Sequence, residues 1–219
     1  MAASPDVLDT IVGREAVPGD PNVVRVLFHH RDALLLRVVD WVDLQLKIGS
    51  TVTGELHAEL VRRATMLGAL QIARTYLTGR VKTSAQVKAF LERKEVEDDV
   101  IGDVIHHLER IGVLDDRAYA ALFIEQSGER SGRRQLMVKL LRRGVPRDVV
   151  QDALANHLSR DVEVTAAIGW AQKYIRRHGR PTDARARLKL MQHLARKGCP
   201  SEVVRRAIDV ALQGLSDDE

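Results

Sequence analysis

Two runs of cations are the residues best placed to do chemistry in this chain. Arg130, Arg133, Arg134, Lys139, Arg142 and Arg143 fall in a stretch with no Asp or Glu between Glu129 and Asp148. Arg176, Arg177, Arg180, Arg185, Arg187, Lys189, Arg196 and Lys197 form the second run. Taken one at a time, such residues are solvated helix faces or complements to helix C-termini. Taken together they make a surface for an anionic or acidic partner. The charge is lopsided in the same sense: residues 1–117 carry 15 Lys/Arg against 18 Asp/Glu, and residues 118–219 carry 19 against 12.

The other reactive side chains imply little. His29-His30 and His106-His107 are adjacent pairs whose rings project differently, with no further ligand at a metal-binding spacing. No metal or other cofactor is expected. Cys199 is the only cysteine, so an internal disulfide is impossible; it reads as a small buried apolar residue. Asp115-Asp116 follows Gly112 and reads as a helix stop followed by a cap. Phosphate-binding loops, nucleophile elbows and His-Glu-x-x-His helices are all missing from the sequence, so no enzyme activity is expected.

The elements that must position the cations are mostly helical. The stretch Leu140-Leu141-Arg142-Arg143-Gly144-Val145-Pro146-Arg147-Asp148-Val149-Val150 aligns without gaps with Leu194-Ala195-Arg196-Lys197-Gly198-Cys199-Pro200-Ser201-Glu202-Val203-Val204. Each reads as a helix ending in basic residues, a glycine just past the end, and a proline opening the next helix. An earlier copy, Leu91 to Ile101, has Glu95 where the others have Gly and lacks the proline. The following helices repeat one apolar face: Ile101, Val104, Ile105, Leu108; Val150, Ala153, Leu154, His157; Val204, Ala207, Ile208, Ala211. Thr83 and Gln86 have capping-box spacing. The period implies three tandem three-helix repeats, at residues 67–115, 116–158 and 159–213, stacked as an elongated array.

The front of the chain differs. Residues 1–21, with Pro5, Gly13, Pro18, Gly19 and Pro21, read as a flexible lead-in. Residues 22–52 read as a small β element, with a hairpin from Val23–Phe28 and Leu34–Val39 and a third short strand at Leu44–Ile48. A connecting helix capped by Thr53 fills residues 53–66, and residues 214–219 form a tail. The fold class is therefore mainly α, preceded by a small N-terminal β-hairpin element. The longest apolar runs fall far short of the roughly 20 residues that cross a bilayer, and no signal peptide opens the chain. A cytoplasmic location is expected.

With this organisation in place, the chain resembles the RecX family of regulatory proteins. Tyr76-Leu77-Thr78-Gly79-Arg80 with Thr83-Ser84 and Val87 is similar to the family's first-repeat pattern. Gly112-Val113-Leu114-Asp115-Asp116-Arg117-Ala118-Tyr119-Ala120 is similar to its most recognisable segment. Gly132-Arg133-Arg134-Gln135-Leu136 with Leu140 to Val145, then Arg187-Leu188 with Leu194 to Gly198, complete the order. Each motif is weak; four in sequence over a three-unit repeat are specific. Tyr119, Glu95 and Cys199 depart from residues frequent in the family and bear on local packing. The resemblance implies binding along the RecA nucleoprotein filament and inhibition of its ATPase, strand-exchange and coprotease activities, with modulation of DNA repair, homologous recombination and the SOS response; the chain itself is expected to be a monomer. Weak direct contact with single- or double-stranded DNA is a lesser expectation. Two alternatives remain: a helical DNA-binding protein acting on DNA directly, because three-helix units with basic helices resemble helix-turn-helix domains, and a generic helical scaffold.

Overall fold

Pro18-Gly19 is a turn, and it changes the reading of the chain's front. In the computed structural model, which describes residues 7–213, Gly19 has φ +84° and closes a two-residue hairpin between strands β1 (Val7–Val17) and β2 (Asp20–Phe28). Proline before a positive-φ glycine fits the second class of tight turn. The segment 7–21 is thus ordered strand and turn, where the density of Pro and Gly suggested a flexible lead-in; residues 1–6 lie outside the described residues. β2 pairs antiparallel with β3 (Leu34–Arg37), with Val23 opposite Arg37 and Val26 opposite Leu34; the expected hairpin forms, but its second strand ends at Arg37, and Val38-Val39 open a helix instead. β4 (Thr51–Thr53) adds to β1, giving a four-stranded sheet of order β3-β2-β1-β4.

The strand expected at Leu44–Ile48 does not form. Helix α1 (Val38–Asp43) begins straight after β3, residues 44–50 follow it as turns and loop, and Asp40, fully buried, anchors the helix. Its carboxylate accepts from the Arg37 side chain at 2.8 and 2.7 Å and from Arg63 at 2.9 Å. A buried carboxylate needs such partners, and a helical turn brings residue 40 back over residue 37. Leu46 then returns to the core from a loop.

Thr53 caps α2 (Gly54–Leu77), its hydroxyl accepting from the Leu56 amide. This helix runs unbroken for 24 residues, so the connecting helix expected at 53–66 and the first helix of the first repeat are one element. Its N-terminal part covers the sheet, with Leu60 in a core of Ile11, Val26, Phe28, Leu36 and Trp41.

The remaining helices are α3 (Ser84–Glu92), α4 (Asp98–Arg110), α5 (Asp116–Ser127), α6 (Arg133–Leu141), α7 (Arg147–His157), α8 (Arg160–His178), α9 (Ala184–Arg196) and α10 (Ser201–Gln213). α5 to α7 share one core, including Ile124, Leu136, Leu140 and Leu154. α8 to α10 share another, including Ala171, Leu190, Leu194 and Ile208. His157 is exposed beside Glu125, and Leu158 takes the core place expected of it. The chain forms two compact units: one runs through Arg80 and includes Val87–Ile111, the other holds Val81–Gln86 and the chain from Gly112 onward.

The repeat is visible in the backbone. At its three junctions Val96 donates to the Leu91 carbonyl, Val145 to Leu140 and Cys199 to Leu194, each at 3.2 Å. Glu95 (φ +59°), Gly144 (φ +81°) and Gly198 (φ +91°) all occupy the left-handed region. The first copy therefore keeps the helix-ending geometry without the glycine that favours it.

Candidate partner-binding surface

The cations are positioned by the way one three-helix bundle is joined to the next. The first amides of α6 and the last carbonyls around the end of α9 are groups that a helix leaves without internal partners. Here they satisfy one another: Gly132 donates to the Lys197 carbonyl at 2.9 Å and Arg134 to the Gly198 carbonyl at 3.1 Å. The Gln135 side chain donates to the Arg196 carbonyl. The positive end of one helix thus meets the negative end of another.

Arg133 closes the same joint from the side. It donates to both carboxylate oxygens of Glu163, at 3.1 and 3.2 Å, and to the Leu158 carbonyl at 3.0 Å. Glu163 is buried, and its side chain is only 7% exposed. Arg133 is thereby committed to the fold and is withdrawn from the partner-facing set in which the sequence places it.

Within the second unit, the segment that leads into α3 is tied to the end of α6. Thr83 is fully buried, and its hydroxyl donates to the Arg143 carbonyl at 2.6 Å. Thr83 and Gln86 also exchange the reciprocal bonds of a capping box, each at 3.2 Å. The Asp pair splits its work: Asp115 caps α5 by accepting from Arg117 and Ala118, while Asp116 accepts from the Ser84 amide at 2.9 Å. Asp116 is therefore a tie between elements as well as a helix-start residue.

The rest of the predicted set divides. Arg134, Lys139, Arg142 and Arg196 line a groove of about 700 Å³ between α6 and α9, together with Val138 and Ala195. Lys139 also donates to the buried Ser131 hydroxyl at 2.7 Å. Arg143 turns inward over the Phe123 ring, 4.4 Å from its centre, and donates to the Lys139 carbonyl. Arg187 pairs with Asp209 at 2.8 Å. Arg176 is exposed on α8.

Arg180 and Arg185 border a cavity of about 410 Å³ beside Lys189. Arg130, Arg177 and Lys197 border a third, of about 310 Å³, with Trp170 and Tyr174. Trp170 and Tyr174, four apart on α8, have no spacing or motif in the sequence that separates them from ordinary core aromatics. Both do pack against the core of α8 to α10. Tyr174 also lies between two imidazoles, His178 at 4.4 Å and His193 at 5.0 Å.

Burial, aided by Lys197, Arg196 and His178, holds the His193 imidazole below its usual 6.5. Burial, with Glu163 nearby, pushes the Cys199 thiol up to about 11. It is an unreactive packing thiol at neutral pH. No group of three or more His, Cys, Asp or Glu able to hold a metal ion occurs among the described residues. No helix among them is long and apolar enough to cross a membrane.

Known proteins resemble this architecture and this sequence. Residues 161–208 match the family model described as "RecX, third three-helix domain". A regulatory protein RecX of Geobacillus kaustophilus is 32% identical over 80% of this chain and 67% of its own length. One of Thermobifida fusca is 31% identical over 63% of this chain and 75% of its own. The match to the Bacillus licheniformis protein, at 28% identity, spans only 51% of that relative. Among solved structures, a regulatory protein RecX superposes with a TM-score of 0.79 at 20% identity, covering 92% of this chain and all of the other. RecX from Lactobacillus salivarius superposes with a TM-score of 0.64 at 19% identity, over 67% of this chain and 96% of that one.

Proposed function

The chain belongs to the RecX family of regulatory proteins, and from that premise we propose that it is a negative regulator of the RecA recombinase. It binds the RecA nucleoprotein filament and inhibits its ATPase, strand-exchange and coprotease activities, and so tempers DNA repair and the SOS response. The action is by contact, with no catalytic step and no cofactor.

One observation carries this reading furthest. Arg134, Arg142 and Arg196 are exposed, make no ion pair among the described residues, and gather on one face of two bundles whose joint is held by backbone bonds. Several weak cationic contacts held on one body add through effective concentration, where a single exposed charge contributes little.

The test is RecA ATPase on single-stranded DNA, titrated with this protein. Suppression well below one protein per RecA protomer is the expected outcome. Equal binding to DNA without RecA, falling steeply with salt, would instead assign the surface to nucleic acid.

A further inference from the structure

The groove between α6 and α9 is not uniformly cationic. Along α6 and its C-cap, Arg134, Val138 and Arg142 follow one another at four-residue steps and so share a face. Val138 is 41% exposed although it is β-branched and apolar, and Ala195 faces the same space from α9. Among the described residues the lining contains no carboxylate. An apolar floor between cationic rims gains nothing from a phosphodiester backbone, which asks for an unbroken cationic track and, when single-stranded, for aromatic platforms. It suits an amphipathic helix laid into a helical groove.

The groove is also preformed. Its walls are tied by the bonds from Gly132 to Lys197 and from Arg134 to Gly198, so a ligand does not have to order them.

We propose that this groove docks an acidic amphipathic helix of the protein partner, with small apolar side chains on Val138 and Ala195 and carboxylates against Arg134, Arg142 and Arg196. The partner's identity rests on the RecA reading given above; the groove's chemistry does not.

The experiment uses the full chain and a synthetic helical peptide of about 18 residues, five turns, carrying an Ala/Leu stripe flanked by Glu. Fluorescence anisotropy should show saturable binding that weakens at least tenfold when the same composition is scrambled to break the stripe. It should weaken at least tenfold in both Val138→Asp and the triple Arg134→Glu, Arg142→Glu, Arg196→Glu variant, with circular dichroism unchanged. Equal binding of the scrambled peptide would reduce the groove to nonspecific charge and overturn the proposal. So would a dT oligonucleotide that displaces the peptide and binds the Val138→Asp variant undiminished.

RecA ATPase measured in parallel separates the two readings. Peptide binding without RecA inhibition sinks the RecA assignment alone. Inhibition that persists in Val138→Asp, with no peptide binding by wild type, sinks the groove alone.

Discussion

Gly132 and Gly198 are in backbone contact: a Cβ on Gly132 would stand 2.6 Å from the Gly198 carbonyl carbon, and one on Gly198 2.7 Å from the Gln135 nitrogen. Each is the one residue type that lets α6 start against the end of α9. Gly132→Ala should therefore cost about 1–3 kcal/mol in urea unfolding, because the clash is with backbone that cannot swing away. Gly169→Ala, in the middle of α8 with open space around it, should stabilise by about 0.5–1 kcal/mol. Equal effects at the two sites would show that the joint is pliable.

Glu95 holds φ +59° at the junction where its two counterparts are glycine. A left-handed backbone costs a non-glycine residue about 1–2 kcal/mol, and glycine's larger unfolded-state entropy returns part of the gain. Glu95→Gly should raise stability by about 0.5–1 kcal/mol. A lower melting temperature would mean that the Glu95 side chain matters more than its backbone.

Arg133 and Arg134 are neighbours in sequence with opposite fates. Arg133→Ala strands the Glu163 carboxylate, whose side chain is only 7% exposed; because Arg133 itself is one-third exposed, a loss of about 1–3 kcal/mol is expected. Arg134→Ala, on the exposed rim, should leave unfolding within about 0.5 kcal/mol of wild type. Parallel denaturation curves with equal midpoints would refute the division.

The rim should matter for activity when its members are changed together. The triple Arg134→Glu, Arg142→Glu, Arg196→Glu variant should fold normally yet lose most suppression of RecA ATPase. Reversing Glu92, Glu97 and Asp98, acids of the first repeat, should have a much smaller effect. Raising salt should weaken wild-type inhibition, since exposed charges are screened over about 10 Å at 0.1 M. Wild-type potency in the triple variant would remove the basic surface from the mechanism.

His193 and His107 both sit below the usual 6.5, mainly through burial, with cations adding to it: Lys197 and Arg196 for the first, Arg110 and Arg37 for the second. A histidine whose folded value is depressed stays neutral in the native state while the unfolded chain takes up a proton. Stability from this source is complete above the unfolded value and falls as pH drops below about 6.5. The melting temperature should decline between pH 7 and 5, and His193→Gln should shallow that slope. An unchanged slope in the variant would locate the acid sensitivity elsewhere.

What the sequence by itself determined is what depends on neighbours along the chain. Helix stops at Gly144 and Gly198, the capping box at Thr83 and Gln86, the cap at Asp115 and the apolar faces of α4, α7 and α10 are local, and local chemistry dictates them. The repeat followed from these. The front of the chain was harder to read because its signals are two-sided: Pro18-Gly19 marks a hairpin turn as readily as a loose lead-in. Asp40 gives no local sign that it will be buried between Arg37 and Arg63. Tertiary structure alone decided which cations are free. Arg133, Arg134 and Arg143 are alike in sequence, but Glu163 lies 30 residues beyond Arg133 and Phe123 twenty before Arg143. Pairing across such separations is fixed by how the bundles dock, so composition located the positive half of the molecule and packing chose which cations stay exposed outside an ion pair among the described residues.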